Sequence, residues 1–115
     1  MAHVERFEDL IAWQKARDLC VVIYELTRTI NDHGFKDQIR RASLSISNNI
    51  AEGFERHSSK EFIRFLSISK GSAGEVRSML LVGSKLGYFG NDEANKLILN
   101  ATEISKILSA LMNSL

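Results

Sequence analysis

The side chains that could do chemistry in this chain are few and far apart. Its histidines are His3, His33 and His57, in the N-terminal stretch and at two expected turns between helices. Their spacing matches no metal-ligand pattern, and Cys20, the single cysteine, has no second thiol with which to share a zinc ion. Cys20 lies on an apolar seam, where a buried, inert thiol is expected and a nucleophile is not. A di-iron centre in a helical bundle needs inward glutamates and Glu-x-x-His motifs on facing helices; neither Glu-x-x-His nor its reverse occurs. Gly71-Ser72-Ala73-Gly74 follows no strand and so is not a phosphate-cradling loop. Trp13 reads as packing. The expectation is a protein that is not an enzyme, with no metal, no cofactor and no small-molecule substrate.

One cluster has a clear chemical use. Arg56, Lys60 and Arg64 surround a turn that also holds His57, Ser58 and Ser59. Backbone donors at the start of the following helix add a positive dipole end. Such a corner can neutralise phosphates, so these three residues are the candidate nucleic-acid contacts, with Arg40 and Arg41, nearer the core, behind them. Residues 36–70 carry seven Lys/Arg against four acids, an excess of +3, and the remainder of the chain is −2. The whole-chain charge of +1 is far from that of a plainly basic nucleic-acid binder.

Helices must position these residues. Proline is absent from the 115 residues, which favours long helices with short connections. Apolar residues recur in steps of three and four along nearly the whole chain. The pattern predicts helices over about 8–31, 36–55, 58–86 and 91–114. Trp13, Ala16, Cys20, Ile23, Thr27 and Ile30 form the first seam, closed by Asn31-Asp32-His33-Gly34, with Gly34 expected in the left-handed conformation after the helix. The second seam is Ile39, Ala42, Ile46, Asn49 and Gly53. Ser58 and Glu61 form a capping box for the third helix, whose seam is Phe62, Phe65, Ser69, Ser72, Val76, Met79, Gly83 and Leu86. Asn91 or Asp92 should cap the fourth, with Leu97, Ala101, Ile104, Leu108, Leu111 and Leu115 inside. Four such helices bury their faces only by folding back on one another, so the expected fold is an all-α, antiparallel up-down-up-down four-helix bundle forming a single domain over 1–115.

The middle two helices are thin. Mid-helix glycine costs about 1 kcal/mol against alanine, so Gly71 and Gly74 predict a close approach of helices two and three. Beside the second seam run Arg41, Ser45, Asn48 and Glu52. With Asn49, and Glu75 as a partner for Arg41 or Arg56, they form a candidate structural polar network; a solvated salt-bridged face is the alternative. Leu44 and Ala51 on the outer line of helix two, and Tyr88 and Phe89 in a short loop, are candidate oligomer contacts.

No run of eighteen apolar residues occurs, so no membrane span is expected. The N-terminal stretch, MAHVERFEDL, lacks the apolar run of a signal peptide. A single cysteine fits a reducing compartment. A cytoplasmic protein is expected.

The residues also carry a resemblance. Phe7-x-x-Leu10-x-x-Trp13-x-x-Ala16, Ile23-Tyr24-Glu25-Leu26-Thr27, Gln38-Ile39-Arg40-Arg41-Ala42, Ser45-Ile46, Asn48-Asn49-Ile50-Ala51-Glu52-Gly53, Arg56, Ser59-Lys60-Glu61-Phe62, Phe65-Leu66, Gly71-Ser72, Glu75 and Leu86-Gly87-Tyr88 occur in the order found in the bacterial 23S ribosomal RNA intervening-sequence proteins, which the chain resembles over nearly its full length. The resemblance implies a four-helix bundle assembled as a homopentamer, with no known catalytic residue. Retroelement accessory proteins related to that family bind RNA and a reverse transcriptase. Prolines that many relatives place before and within the second helix are missing here, which predicts a straighter helix with a looser entry. Two functions follow as expectations: an oligomeric bundle associating with RNA or a ribonucleoprotein, or a protein–protein scaffold that binds no nucleic acid.

Overall fold

The computed structural model describes residues 4–115, and His3 lies outside them. A short 3-10 turn, Phe7–Asp9, leads into α1 (Ile11–Leu26), α2 (His33–Glu55), α3 (Ser59–Lys85) and α4 (Asn91–Asn113). They pack as the expected antiparallel four-helix bundle, about 43 Å long and 22 by 19 Å across, with no strand among the described residues. Ala16, Leu19 and Ile23 of α1, Ile39, Ile46 and Ile50 of α2, Leu66, Val76 and Leu80 of α3, and Ala101, Ile104 and Leu108 of α4 share one core.

Helix one is shorter than its periodicity suggests. It ends at Leu26, because the Thr27 hydroxyl bonds back to the Ile23 carbonyl at 2.7 Å and competes with the helical ladder. Ile30 still reaches the core from the connection. Helix two starts early: Asp32 caps it, its carboxylate accepting the Phe35 amide at 3.1 Å. Gly34 therefore lies inside the first turn of α2, not in a left-handed terminator. The entry is also tied down, since the Tyr88 hydroxyl donates to the same carboxylate at 2.6 Å.

Ser58 caps α3 as expected, accepting the Glu61 amide at 3.3 Å, but the Glu61 carboxylate faces Arg56 at 3.8 Å. Helix three ends in a Schellman motif, with Tyr88 N–H on the Gly83 carbonyl, Gly87 N–H on that of Ser84, and Gly87 at φ 76°. Gly90, not Asn91 or Asp92, is the N-cap of α4. The buried face of α3 includes Leu66, Ala73 and Leu80, while Leu86 is 54% exposed.

α2 and α3 do meet closely, at other residues than Gly71 and Gly74. A Cβ on Gly53 would lie 2.6 Å from the Phe65 Cβ. The Ser69 hydroxyl donates to the Ile46 carbonyl at 2.7 Å across the interface. Gly71 and Gly74 face outward, and a Cβ on either would meet no atom within 4 Å.

Candidate nucleic-acid interface

The corner between α2 and α3 is shaped by the end of one helix and the cap of the next. Arg56 is the C-cap of α2, and His57 turns the chain in the left-handed region at φ 55°. Arg56 Nη2 donates to Glu52 Oε2 at 2.7 Å and Nη1 lies 3.8 Å from Glu61 Oε1. Its guanidinium also sits 5.0 Å from the Phe65 ring centre. The hydrogen bond it donates to Glu52 raises its pKa, opposed by desolvation and helped by the charges of Glu61 and Glu52. Two carboxylates therefore share the charge of Arg56. The Arg64 guanidinium lies 5.6 Å from the centre of the same Phe65 ring, a second cation–π contact, and Lys60 is exposed nearby on α3. Neither Lys60 nor Arg64 forms an ion pair with a described residue.

Arg40 and Arg41 part company. Arg40 reaches the end of α1, where Nε donates to Thr27 Oγ1 and Nη2 to the Tyr24 carbonyl, both at 2.9 Å. It thus occupies one carbonyl at the end of α1 and the hydroxyl of its C-cap residue, and is held away from solvent partners. Arg41 is exposed and unpaired among the described residues, on an open groove between α2 and α3 that also holds Leu44, Asn48, Ser72 and Glu75.

The expected polar network divides along this groove. Ser45 and Ser72 hydroxyls meet at 2.8 Å, and Asn49 Nδ2 bonds both the Ser45 hydroxyl and its carbonyl at 2.8 Å. Glu75 accepts from Gln38 Nε2 at 2.5 Å and does not form the expected pair with Arg41 or Arg56; Arg56 is taken by Glu52 of its own helix. Asn48 points to solvent. Of the candidate oligomer contacts, Leu44 is 38% exposed and Ala51 half-buried. Phe89 is in the core, filling the space over Gly83, so it offers no outer surface. Tyr88 is half-buried against Phe35, their ring centres 5.0 Å apart.

A second set of cations lies on α3, beyond the corner. Lys70, Arg77 and Lys85 are exposed and form no ion pair with a described residue. Their spacing of seven and eight puts them on one stripe. A charge count that stops at residue 70 cuts this row, so the sequence alone did not single it out; the steps of seven and eight were the available signal.

Among the described residues no group of His, Cys, Asp and Glu could hold a metal ion, and no helix is long and apolar enough to cross a membrane. Cys20 is buried, 3.4 Å from the Ser43 hydroxyl.

Comparison with known proteins agrees with this architecture. A family model described as 23S rRNA-intervening sequence protein matches residues 8–110. A crystal structure from Bacteroides thetaiotaomicron VPI-5482, described as a protein with unknown function from the S23 ribosomal protein family, superposes with a TM-score of 0.83. It shares 24% identity over 90% of this chain and 96% of that one, a likeness of fold. No curated protein matches the chain.

Proposed function

This chain belongs to the 23S rRNA-intervening sequence protein family, and on that premise we propose that it is a non-enzymatic, cytoplasmic bundle that assembles with copies of itself and associates with RNA or a ribonucleoprotein. The observation that carries the RNA part is the imbalance on α3. Lys60 and Arg64 are exposed and form no ion pair with a described residue, whereas its two acids, Glu61 and Glu75, are engaged by Arg56 and Gln38. Binding through such cations neutralises phosphates, so affinity falls steeply with salt and depends little on sequence. Arg41 supplements Lys60 and Arg64; Arg56 contributes a charge already shared with carboxylates. Self-assembly, as the pentamer the family resemblance implies, is supported by partly exposed Leu44 on the outer line of α2.

Native mass spectrometry with and without nuclease tests both parts, because it reads stoichiometry and retained nucleic acid together. A monomer free of nucleic acid, with no RNA affinity at low salt, overturns the reading. The second reading, a protein–protein scaffold, is favoured by the open α2–α3 groove, where Arg41 and Asn48 are exposed beside Leu44 and bond no other described side chain. Recovery of one protein partner without RNA selects it.

A further inference from the structure

The unpaired cations of α3 form more than a corner. On a helix rising 1.5 Å per residue, Lys70 and Arg77 are about 10.5 Å apart along the axis and Arg77 and Lys85 about 12 Å. With Lys60 at the start, the row extends about 38 Å, nearly the length of the bundle. Leu81 and Lys85 line a groove whose other wall is Asn91, Asn95 and Ile98 of α4, which fixes this stripe on the α4 side of α3. Lys106 lies eleven residues after Asn95, three helical turns on, and so extends the positive charge along the neighbouring edge of α4. Lys106 too has no ion-pair partner among the described residues.

Two further observations narrow what this face can hold. Between Lys70 and Arg77 lie Gly71 and Gly74, whose outward sides are open, so no side chain there keeps a broad ridge from approaching the helix. No aromatic side chain among the described residues is exposed. Trp13, Tyr24 and Phe35 are half-buried and already engaged by Phe7, Arg40 and Tyr88. Proteins that grip single strands stack bases on exposed aromatic rings, and those that take duplex RNA read its shape and phosphates. This surface has cations in a row and no stacking platform.

We infer that the Lys70–Arg77–Lys85 stripe of α3 is a phosphate-backbone contact for double-stranded RNA, taken without regard to sequence. The inference rests on the RNA reading above and moves the main contact from the α2–α3 corner to the long outer side of α3. Exposed Ile63 and Leu81 share the stripe, and a protein partner would use them in preference to the charges.

Fluorescence anisotropy with a labelled RNA duplex and with one of its single strands, over a series of salt concentrations, tests this. The wild-type protein binds the duplex more tightly than the strand. Lys70→Gln/Arg77→Gln/Lys85→Gln lowers duplex affinity by roughly tenfold or more at low salt and flattens the log–log salt dependence by about 3. Arg17→Gln/Arg28→Gln/Lys36→Gln, which removes equal charge elsewhere, leaves the slope unchanged, and so does Ile63→Ser/Leu81→Ser. Circular dichroism verifies folding, and the single reversal Arg77→Glu gives the same direction of effect. If the triple α3 variant binds as wild type while Lys60→Gln/Arg64→Gln does not, the stripe is wrong and RNA association stands. Preference for the single strand, or loss only in Ile63→Ser/Leu81→Ser, also overturns the inference. If the wild-type protein binds neither RNA, the RNA reading falls and takes the inference with it.

Discussion

The guanidinium of Arg40 lies 4.4 Å from the centre of the Tyr24 ring and donates to the carbonyl of that same residue at 2.9 Å. One side chain of α2 thereby closes the end of α1. Its Nε also fixes Thr27, whose hydroxyl returns to Ile23, so the place where α1 stops and the place where α2 docks are set together. Arg40→Ala should destabilise the protein by about 1–3 kcal/mol, from lost charge-assisted hydrogen bonds and the stacked ring. Arg40→Lys should recover only part, since an ammonium cannot reproduce the planar fork. Thermal unfolding followed by circular dichroism reads both; about 4 °C or more is expected per kcal/mol.

Glycines in the two middle helices should respond oppositely to alanine. At Gly53 the added methyl collides with Phe65 and crowds Phe62, so Gly53→Ala should cost about 1–3 kcal/mol. Gly71→Ala and Gly74→Ala meet open space and should each stabilise by about 0.5–1 kcal/mol. Denaturant midpoints at constant m-value distinguish the two signs.

His57 holds a left-handed conformation with a full side chain, at a strain of about 1 kcal/mol relative to glycine. His57→Gly should therefore raise stability by up to about that amount at the α2–α3 turn, less the added chain entropy of glycine in the unfolded state. A fall in stability would mean that the imidazole makes a contact that outweighs the strain. The same denaturant titration measures it.

The Asp32–Tyr88 latch gives a pH dependence at both ends of the scale. The hydrogen bond from Tyr88, then that from the Phe35 amide, holds the Asp32 pKa below its ordinary 3.8. Its contribution is complete above that value and is lost as pH falls through the lower folded value. Tyr88 is raised above its ordinary 10.0, first by its hydrogen bond to Asp32, then by desolvation and the Asp32 charge. That contribution is complete below pH 10.0 and is lost as pH rises through the higher folded value. Asp32→Asn should flatten the fall in thermal midpoint below about pH 4, and Tyr88→Phe should flatten the alkaline limb. Equal pH profiles for wild type and variants would show that the latch has no linkage to folding.

The bundle was legible because its causes are local and periodic. Ile39, Ile46 and Gly53 sit inside because they recur on one side of α2, and Ser58 caps because its hydroxyl is one turn from the Glu61 amide. What escaped was decided by partners distant in the chain. Asp32 holds the entry of α2 through Tyr88, fifty-six residues on, so Gly34 could be mistaken for a terminator. Leu66, Ala73 and Leu80 were missed because α3 presents its core side to both α2 and α4, and a single-file seam cannot describe so wide a buried face. At the candidate interface the cations Lys60 and Arg64 stand out from sequence alone. The sharing of Arg56 between Glu52 and Glu61, and the engagement of Arg40 by α1, depend on how the helices are set against each other.

The lone thiol of Cys20 gives the molecule an internal gauge. It faces Ser43 of α2 from the buried side of α1 and is 7% exposed, so a bulky alkylating reagent can reach it only when α1 lifts away. Labelling kinetics without any engineered probe thus time the opening of that one seam, and slower labelling on addition of RNA or at higher protein concentration would reveal which partner clamps the helix shut.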